Sequence, residues 1–253
     1  MVRIAAINYL NTLPFVYGLE TCLTPEERVL QFCTPAQSAE LLRDDKADIG
    51  IMPVGALDDL PDPHIVSDYC IGAEGKVASV IVCSGCPIEQ AEEIFLDTDS
   101  RTSVLLTRCL CRDKWHIRPA FTPFDFRTCQ LESDKTYLLI GDKALLHAHE
   151  FPFVYDLAEE WIELTGRPFV FACWTANKPL PQSFLLKFNQ ALAYGVSHIG
   201  EAVDKYDHQF PRDYACKYLQ ENISFPLDSE KRAGLSEFRR VALEKLNPRE
   251  CVS

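Results

Sequence analysis

The sequence predicts an α/β protein built as a two-lobed clamshell, with a ligand cleft between the lobes. Short β-branched runs alternate with helical stretches through the first two thirds of the chain, which is typical of largely parallel sheets. From Gln182 onward the chain is instead mostly helical, with breaks near Pro211 and Pro226. No repeat, low-complexity tract or flexible linker interrupts the sequence. We therefore expect the chain to pass between its lobes in ordered segments.

The expected elements follow one another along the chain in this alternating pattern. The β-branched and apolar runs predict strands at residues 3–7, 28–32, 48–52, 76–83, 93–96, 115–118, 136–140 and 168–174. The stretches between them predict helices at residues 14–19, 35–44, 100–111, 143–149 and 157–165.

The two longest extended runs, 76–83 and 168–174, are the expected crossings between the lobes. They predict an inserted lobe 2 formed by residues 80–174. Lobe 1 is then discontinuous and comprises residues 1–79 and 175–253, including the helical C-terminus. A double crossing of this kind allows two lobes to close on a small ligand, and ligand sites favour such interfaces.

Composition excludes several classes of function. The chain has 253 residues and is 47% hydrophobic, which suffices for one large or two modest cores. Its net charge is −12 and it has no basic block, so nucleic-acid binding is not expected. No apolar run approaches about 18 residues, so no membrane span is expected. We expect no signal peptide, and eleven cysteines without one indicate reduced thiols in the cytoplasm.

The first candidate site follows the first strand, in the stretch INYLNTLPF. The strand leads directly into Tyr9, Asn11 and Thr12, and no charged side chain accompanies them. Pro14 suits the first turn of a helix, where a missing N–H is tolerated, and Asn11 or Thr12 can cap that helix. The cluster therefore lies between a strand's carboxyl end and a helix's amino end, where open parallel sheets bind ligands.

A second candidate site is in the stretch LDTDSRTSVLL. Ser100 is positioned to cap a helix, and the backbone N–H groups of Arg101, Thr102 and Ser103 open that helix. Hydroxyls, a guanidinium and a helix amino terminus together suit a carboxylate or a phosphate.

The third candidate site is in the stretch LLIGDKALL, where Gly141 permits a tight turn and Asp142 can cap the next helix. Each of the three turns alone is equally compatible with an ordinary helix cap. Their recurrence at three strand ends, with uncharged donors, favours a shared anion site.

Other sequence motifs carry no evident chemistry. Cys83 and Cys86 have Cys-x-x-Cys spacing, but no second pair completes a zinc site and the motif ends a strand. The sequence contains no nucleophile elbow, glycine-rich dinucleotide turn or phosphate loop of the usual spacing. We expect no metal and no organic cofactor. An enzyme with this inventory works by positioning, electrostatics and mild acid–base assistance; otherwise the protein is a binding module.

Six stretches resemble the chorismate dehydratases of menaquinone biosynthesis and occur in that family's order. They lie within residues 4 to 174, and the most specific are Tyr-Leu-Asn-Thr followed by Pro, and Ser-Arg-Thr-Ser after Asp-Thr. The six stretches are INYLNTLPFVYGLE, ADIGIMPVGAL, IGAEGKVASVIV, LDTDSRTSVLL, LIGDKALL and YDLAEEWIELTGRPFVFACW.

The resemblance implies a type II periplasmic-binding-protein-like fold used as a cytoplasmic enzyme. It implies a carbon–oxygen lyase of the futalosine pathway, which dehydrates chorismate to 3-[(1-carboxyvinyl)oxy]benzoate without a cofactor. Removing the ring hydroxyl and the adjacent ring proton creates an aromatic ring, so a strong catalytic group is not required. No protein base is evident at the three turns. We expect the substrate's side-chain carboxylate to act as base and Asn11 to orient it or the leaving hydroxyl.

The remaining site residues are expected to bind a dianionic small-molecule substrate. Ser79 lies on the proposed crossing strand and is expected to face the cleft. Arg101 either binds a carboxylate or pairs with an acid of its own lobe. Asp142 either shapes the far wall or only caps its helix, because a carboxylate beside a dianion is costly. The full set is Tyr9, Thr12, Ser79, Ser100, Arg101, Thr102, Ser103, Gly141 and Asp142.

Two alternative functions remain open from the sequence. One is a related clamshell enzyme of the same pathway that makes 1,4-dihydroxy-6-naphthoate. The other is a non-catalytic solute-binding protein of the same fold, which the missing export signal disfavours. The sequence does not indicate the oligomeric state.

Overall fold

A computed structural model describes the backbone of residues 1–245 and the side chains of residues 1–242. The chain forms two compact units. The first unit consists of Met1–Ala73 and Phe171–Leu227, and the second consists of Glu74–Val170 and the described residues from Asp228 onward. Within the described residues, no helix has the length and apolar character needed to cross a membrane.

The chain alternates strands and helices before it becomes mainly helical. The strands are β1 (Val2–Ile7), β2 (Arg28–Cys33), β3 (Ile49–Pro53), β4 (His64–Ala73), β5 (Val80–Ser84), β6 (Glu93–Asp97), β7 (Ala120–Phe124), β8 (Thr136–Ile140), β9 (Phe153–Asp156), β10 (Phe169–Ala176) and β11 (Ser224–Pro226). The helices are α1 (Leu13–Cys22), α2 (Pro35–Arg43), α3 (Arg101–Asp113), α4 (Gly141–His147), α5 (Leu157–Thr165), α6 (Gln182–Ser197), α7 (Ile199–Lys205), α8 (Arg212–Glu221) and α9 (Ser229–Lys245).

The first unit is built on a six-stranded sheet in the order β11-β4-β10-β3-β1-β2. Strand β1 is parallel to both β2 and β3, whereas β10 returns antiparallel to β3. Fully buried aromatic rings fill the core beside this sheet. Trp174 of β10 makes edge-to-face contacts with Phe15 of α1 at 5.7 Å and with Phe188 of α6 at 5.2 Å. These contacts fix the first helix against the sheet.

The second unit repeats the same local order in a five-stranded sheet, β7-β6-β8-β5-β9. Strand β6 is parallel to both β7 and β8, and β5 is antiparallel to β8. In each unit, therefore, a central strand has two parallel neighbours. The fourth strand along each sheet, β10 in the first unit and β5 in the second, is antiparallel to its neighbour. The carboxyl ends of the parallel strands meet at one edge of each sheet.

The predicted alternation is confirmed, but the sheets are mixed and not largely parallel, and one strand was placed wrongly. The prediction of a strand at 115–118 is wrong, because this segment turns the chain after α3. The Trp115 backbone N–H donates to the Leu110 carbonyl at 2.8 Å, and His116 has a φ of 55°. The strand that follows α3 is β7. Strands β4, β9 and β11 were not among the sequence predictions.

The observed division of the chain differs from the predicted lobes of 1–79 plus 175–253 and 80–174. The first unit already ends at Ala73, because the unpredicted β4 carries the chain to that point. Helix α9 belongs to the second unit, whereas the sequence placed it in lobe 1. Its Phe238 packs on Phe169 at 4.9 Å and on Trp161 at 5.8 Å. At Gly234, a Cβ atom would lie only 2.1 Å from the Pro168 carbonyl oxygen, so this contact requires glycine.

Candidate functional site

The turn after β1 is closed by the hydroxyl of Thr12. This hydroxyl is buried and lies 2.5 Å from the Ile7 carbonyl oxygen and 2.8 Å from the Tyr9 carbonyl oxygen, to either of which it can donate. The Tyr9 backbone N–H approaches the same hydroxyl at 3.4 Å. Thr12 occupies the N-cap position of α1 but makes no side-chain capping bond. Its hydroxyl is therefore occupied in shaping the turn, and Tyr9 lies half-buried beside it.

Asn11 lies on the same turn and differs from Thr12 in its bonding. Its side chain is half-buried, it does not cap α1, and its carboxamide has no hydrogen-bond partner among the described residues. A carboxamide both donates and accepts hydrogen bonds. The turn therefore holds one available amide group at the carboxyl end of a central parallel strand.

A close helix–helix contact supports this turn from behind. Helices α1 and α6 approach through Gly18 and Gly195. A Cβ atom at Gly195 would lie 1.7 Å from the Pro14 carbonyl oxygen, and one at Gly18 would lie 1.9 Å from the Ala191 carbonyl oxygen. Pro14 occupies the first turn of α1, as the sequence predicted. The position of the Asn11 turn therefore depends on the absence of side chains at these two glycines.

The amino terminus of α3 is capped by Ser100, as predicted. Its hydroxyl accepts from the Ser103 backbone N–H at 3.2 Å and donates to the Ser103 hydroxyl at 2.8 Å. Ser100, Thr102 and Ser103 are all buried, whereas Arg101 is exposed. The Ser103 hydroxyl accepts from Ser100 and keeps its own proton to donate.

The turn after β8 brings together two of the predicted site residues, Gly141 and Ser79. Gly141 opens α4 with a φ of 60°, which favours glycine, and its N–H donates to the Ser79 carbonyl at 2.7 Å. The residue at the N-cap position is Ile140, so the expectation that Asp142 caps this helix is wrong. Asp142 lies instead in the first turn. Gly141 and Ser79 are thus brought together, as a shared site requires.

Ser79 lies in a turn just before β5, not on the strand itself, and it is fully buried. Asp156 fixes this turn by accepting from the backbone N–H groups of Val77 at 3.2 Å and Ala78 at 2.7 Å. The same carboxylate caps α5. Burial raises the pKa of Asp156, and its four backbone N–H bonds oppose that effect.

An ion pair within this region of the second unit was not predicted from the sequence. Lys143 of α4 places its Nζ atom 2.5 Å from Asp97 Oδ2 and 3.2 Å from Asp99 Oδ2. Asp97 ends β6 and is 1% exposed. Burial raises the pKa of Asp97, and the adjacent Lys143 opposes that rise. The signal was available, because Asp97 is the last residue of β6 and Lys143 lies in the helix that follows β8, the parallel neighbour of β6.

The structure thus assigns the predicted residues to two groups. The turns at residues 100–103 and 141–142 join Ser79 at one edge of the second unit's sheet. The turn that carries Tyr9, Asn11 and Thr12 belongs to the first unit, at the carboxyl end of its own central strand.

Other chemistries have little support in the described residues. No group of three or more His, Cys, Asp or Glu side chains among them is arranged to hold a metal ion. The ten described cysteines are free thiols. Cys83 is fully buried, and burial raises the pKa of its thiol to about 12. A thiol of this kind is a poor nucleophile at neutral pH, which agrees with an incidental Cys83-x-x-Cys86 motif.

The fold is that of periplasmic binding proteins. Protein AF1704 from Archaeoglobus fulgidus superposes with a TM-score of 0.77 at 15% identity, over 96% of this chain and 97% of that one. The periplasmic aliphatic sulphonate binding protein SsuA from Escherichia coli gives 0.60 at 15% identity, over 98% and 93%. A Candida albicans gene product described as having the generic periplasmic binding protein fold gives 0.65 at 10% identity, over 98% and 91%.

Sequence similarity identifies the family. A chorismate dehydratase of Thermus thermophilus is 25% identical over 197 residues, which cover 69% of this chain and 71% of that protein. The family described as menaquinone biosynthesis matches residues 2–244. The chain therefore belongs to the menaquinone-biosynthesis family.

Proposed function

We propose that this protein is a chorismate dehydratase, a hydro-lyase that converts chorismate to 3-[(1-carboxyvinyl)oxy]benzoate. The observation that carries the proposal is the Asn11 carboxamide. It lies within the family-like Tyr-Leu-Asn-Thr stretch, at the carboxyl end of a central strand, without a hydrogen-bond partner among the described residues. The 25% identity to a chorismate dehydratase supports the same substrate.

The proposed reaction needs little from the protein beyond placement. The ring C–H proton moves to the substrate's own side-chain carboxylate, the ring C–O bond breaks, and the departing hydroxide takes up that same proton to leave as water. The new aromatic ring stabilises the product. Asn11 donates to the leaving hydroxyl or orients the carboxylate that acts as base. A neutral amide suits this role because it adds no charge beside a dianion.

The second unit supplies the proposed anion-binding surface. Helix α3 has 13 residues, and its amino terminus carries a partial positive charge. We propose that Ser100, Arg101, Thr102 and Ser103 bind one substrate carboxylate there. Ser79 and Gly141 fix the neighbouring turn, and Asp142 and Tyr9 border the bound substrate. Thr12 holds the turn that carries Asn11, since the Thr12 hydroxyl is already bonded to the backbone.

A cytoplasmic location and a small dianionic substrate complete the proposal. The free thiols of the described cysteines fit a reducing compartment. The Asn11 amide is uncharged and the amino terminus of α3 carries a partial positive charge. These groups suit a dicarboxylate better than a cation or an apolar ligand.

The direct experiment is to incubate the purified protein with chorismate and to follow ultraviolet absorbance and product mass. We expect a new aromatic product that is lighter than chorismate by one water. Saturable binding of chorismate without loss of water would contradict the enzyme and leave a solute-binding protein of this fold. Unchanged chorismate combined with formation of 1,4-dihydroxy-6-naphthoate from a later pathway intermediate would assign the neighbouring reaction instead.

A further inference from the structure

Lys143 links the end of β6, the loop that follows it, and the start of α4. Its Nζ atom contacts Asp97 at 2.5 Å and Asp99 at 3.2 Å. The three side chains are 16%, 1% and 17% exposed. A lysine is rarely enclosed in this way unless it is paired. The Lys143 ammonium group therefore bridges Asp97 and Asp99, which are separated in the sequence by one residue.

The loop between β6 and α3 is also bonded to its own backbone. The Asp99 N–H donates to Asp97 Oδ1 at 3.0 Å, and the Thr98 N–H donates to the Phe124 carbonyl at 3.1 Å. The loop then leads directly into Ser100, which caps α3. The orientation of Asp97 and Asp99 thus determines where the amino terminus of α3 begins.

The charges around Lys143 also indicate that this lysine orders the loop between β6 and α3. Three acids, Asp97, Asp99 and Asp125, are accompanied by Lys143 and Arg127, with Arg127 bonded to Asp125 and 3.8 Å from Asp99. Without the lysine, the excess negative charge of the cluster rises from one to two. That excess lies beside the helix terminus that is proposed to attract a carboxylate, and it opposes binding of a dianion.

We propose that Lys143 is a positioning residue. By bridging Asp97 and Asp99, it holds the loop at 97–100 in the arrangement that presents the amino terminus of α3 to the substrate. This inference rests on the proposed function for its substrate, but the ordering of the loop is measurable without any substrate.

The test variant must keep the protein folded. Lys143→Met alone leaves Asp97 buried without a counter-charge, which destabilises strongly. The double variant Asp97→Asn with Lys143→Met removes the bridge and keeps the charge balanced. Lys143→Arg is the conservative variant and retains a cation within reach of both acids.

A matched control is available in the same unit. Lys114 Nζ lies 2.8 Å from Glu160 Oε2, with side chains 19% and 15% exposed, outside the three polar turns. The control variant is Lys114→Met with Glu160→Gln, since glutamine keeps an acceptor for the Trp115 indole N–H.

The first readout is amide hydrogen exchange of a peptide spanning residues 97–104, without substrate. We expect exchange about tenfold faster in the Asp97→Asn/Lys143→Met variant, and wild-type exchange in Lys143→Arg and in the control. The second readout is chorismate turnover. We expect KM to rise about tenfold with kcat within about twofold of wild type, because the loop affects binding more than the chemical step.

Unchanged exchange in the double variant would overturn the positioning role, and so would a KM equal to that of the control. These outcomes are distinct from failure of the proposed function. If the wild-type protein does not dehydrate chorismate, the assigned reaction is wrong, while the exchange measurement still decides whether Lys143 holds the loop.

Discussion

Asn11 and Thr12 are neighbours on one turn, yet their side chains have different bonding. The Thr12 hydroxyl is buried against backbone carbonyls, whereas the Asn11 carboxamide has no partner among the described residues. This contrast supports the proposed roles, in which Thr12 shapes the turn and Asn11 acts on the substrate. It leads to opposite expectations for stability and activity at adjacent positions.

For Asn11, we predict loss of activity without loss of stability. Asn11→Asp should lower kcat for chorismate by about 100-fold, because a carboxylate repels the dianion and donates no hydrogen bond. The melting temperature should stay within a few degrees of wild type, since no described hydrogen bond is lost. Steady-state kinetics and thermal unfolding measure both quantities. Full turnover in Asn11→Asp would remove this residue from the mechanism.

For Thr12, we predict the reverse of the Asn11 result, namely a loss of stability. Thr12→Val should lower the free energy of unfolding by about 1–3 kcal/mol, because a buried hydroxyl and its backbone partners lose their bonds. Thr12→Ser, which keeps the hydroxyl, should recover most of that loss. Denaturant unfolding of the three proteins checks the difference. A valine variant as stable as wild type would mean that the turn does not depend on this hydroxyl.

At the scale of elements, the Asn11 turn depends on the packing of α1 against α6. We predict that Gly195→Ala destabilises the protein by at least about 3 kcal/mol and lowers chorismate turnover, since the new Cβ overlaps the Pro14 carbonyl. Gly200→Ala is the matched control, because its Cβ would meet only the Arg212 guanidinium, at 3.3 Å. Denaturant unfolding compares the two. Equal stability of both variants would contradict the close contact.

Strands β1 and β3 are joined at their starts by Arg3 and Asp48. The Arg3 guanidinium approaches Asp48 Oδ1 at 2.7 Å, its backbone N–H donates to Oδ2 at 2.8 Å, and Lys178 lies 2.9 Å from Oδ1. Hydrogen bonding from Arg3, followed by that from Lys178, holds the pKa of Asp48 well below its usual range.

This pairing predicts a pH dependence of folding. Because the folded-state pKa lies below the unfolded-state pKa of about 3.9, the stabilisation is present at neutral pH. It is lost as the pH falls from about 5 toward the folded-state pKa. Asp48→Asn should lower the free energy of unfolding at pH 7 by about 2 kcal/mol and flatten its decline in acid. Unfolding curves from pH 7 to 3 check this, with the exposed Asp207→Asn as control. An equally steep acid decline in Asp48→Asn would contradict it.

The elements that the sequence predicts best are those with local signals at both ends. The predicted helix at 157–165 has the bounds of α5, because Asp156 caps its start and Gly166, with a φ of 70°, ends it. Strand β4 was missed, since its sequence HIVSDYCIGA mixes polar and apolar residues and its place depends on pairing with β10 and β11.

In the candidate site, too, features with local signals were predicted and contacts between distant segments were not. The Ser100 cap follows from residues next to it in sequence, and it was predicted. The Lys143–Asp97 pair and the Asp156 contacts with Val77 and Ala78 join segments that are 46 to 79 residues apart, and they were not. The contacts of the Thr12 hydroxyl with the Ile7 and Tyr9 carbonyl oxygens were likewise not predicted from the sequence.

At the scale of the whole molecule, the sheet of each unit has a central strand with two parallel neighbours, and each unit carries part of the predicted site. The proposal therefore requires a contribution from each. Ser103→Ala in the second unit and Asn11→Ala in the first should each weaken chorismate turnover, the first mainly through KM and the second mainly through kcat. Kinetics of the two single variants check this. If either variant behaves as wild type, the corresponding unit does not contribute in the proposed way.

The most direct measurement uses chorismate that carries deuterium at the ring carbon expected to lose its proton. The purified protein is incubated with this substrate, and the product is analysed by mass spectrometry and NMR. We expect an unlabelled aromatic product that keeps its carboxyvinyl ether, because the deuterium leaves as part of the one water that is released. Release of pyruvate, retention of the deuterium, or bound but unchanged chorismate would contradict it.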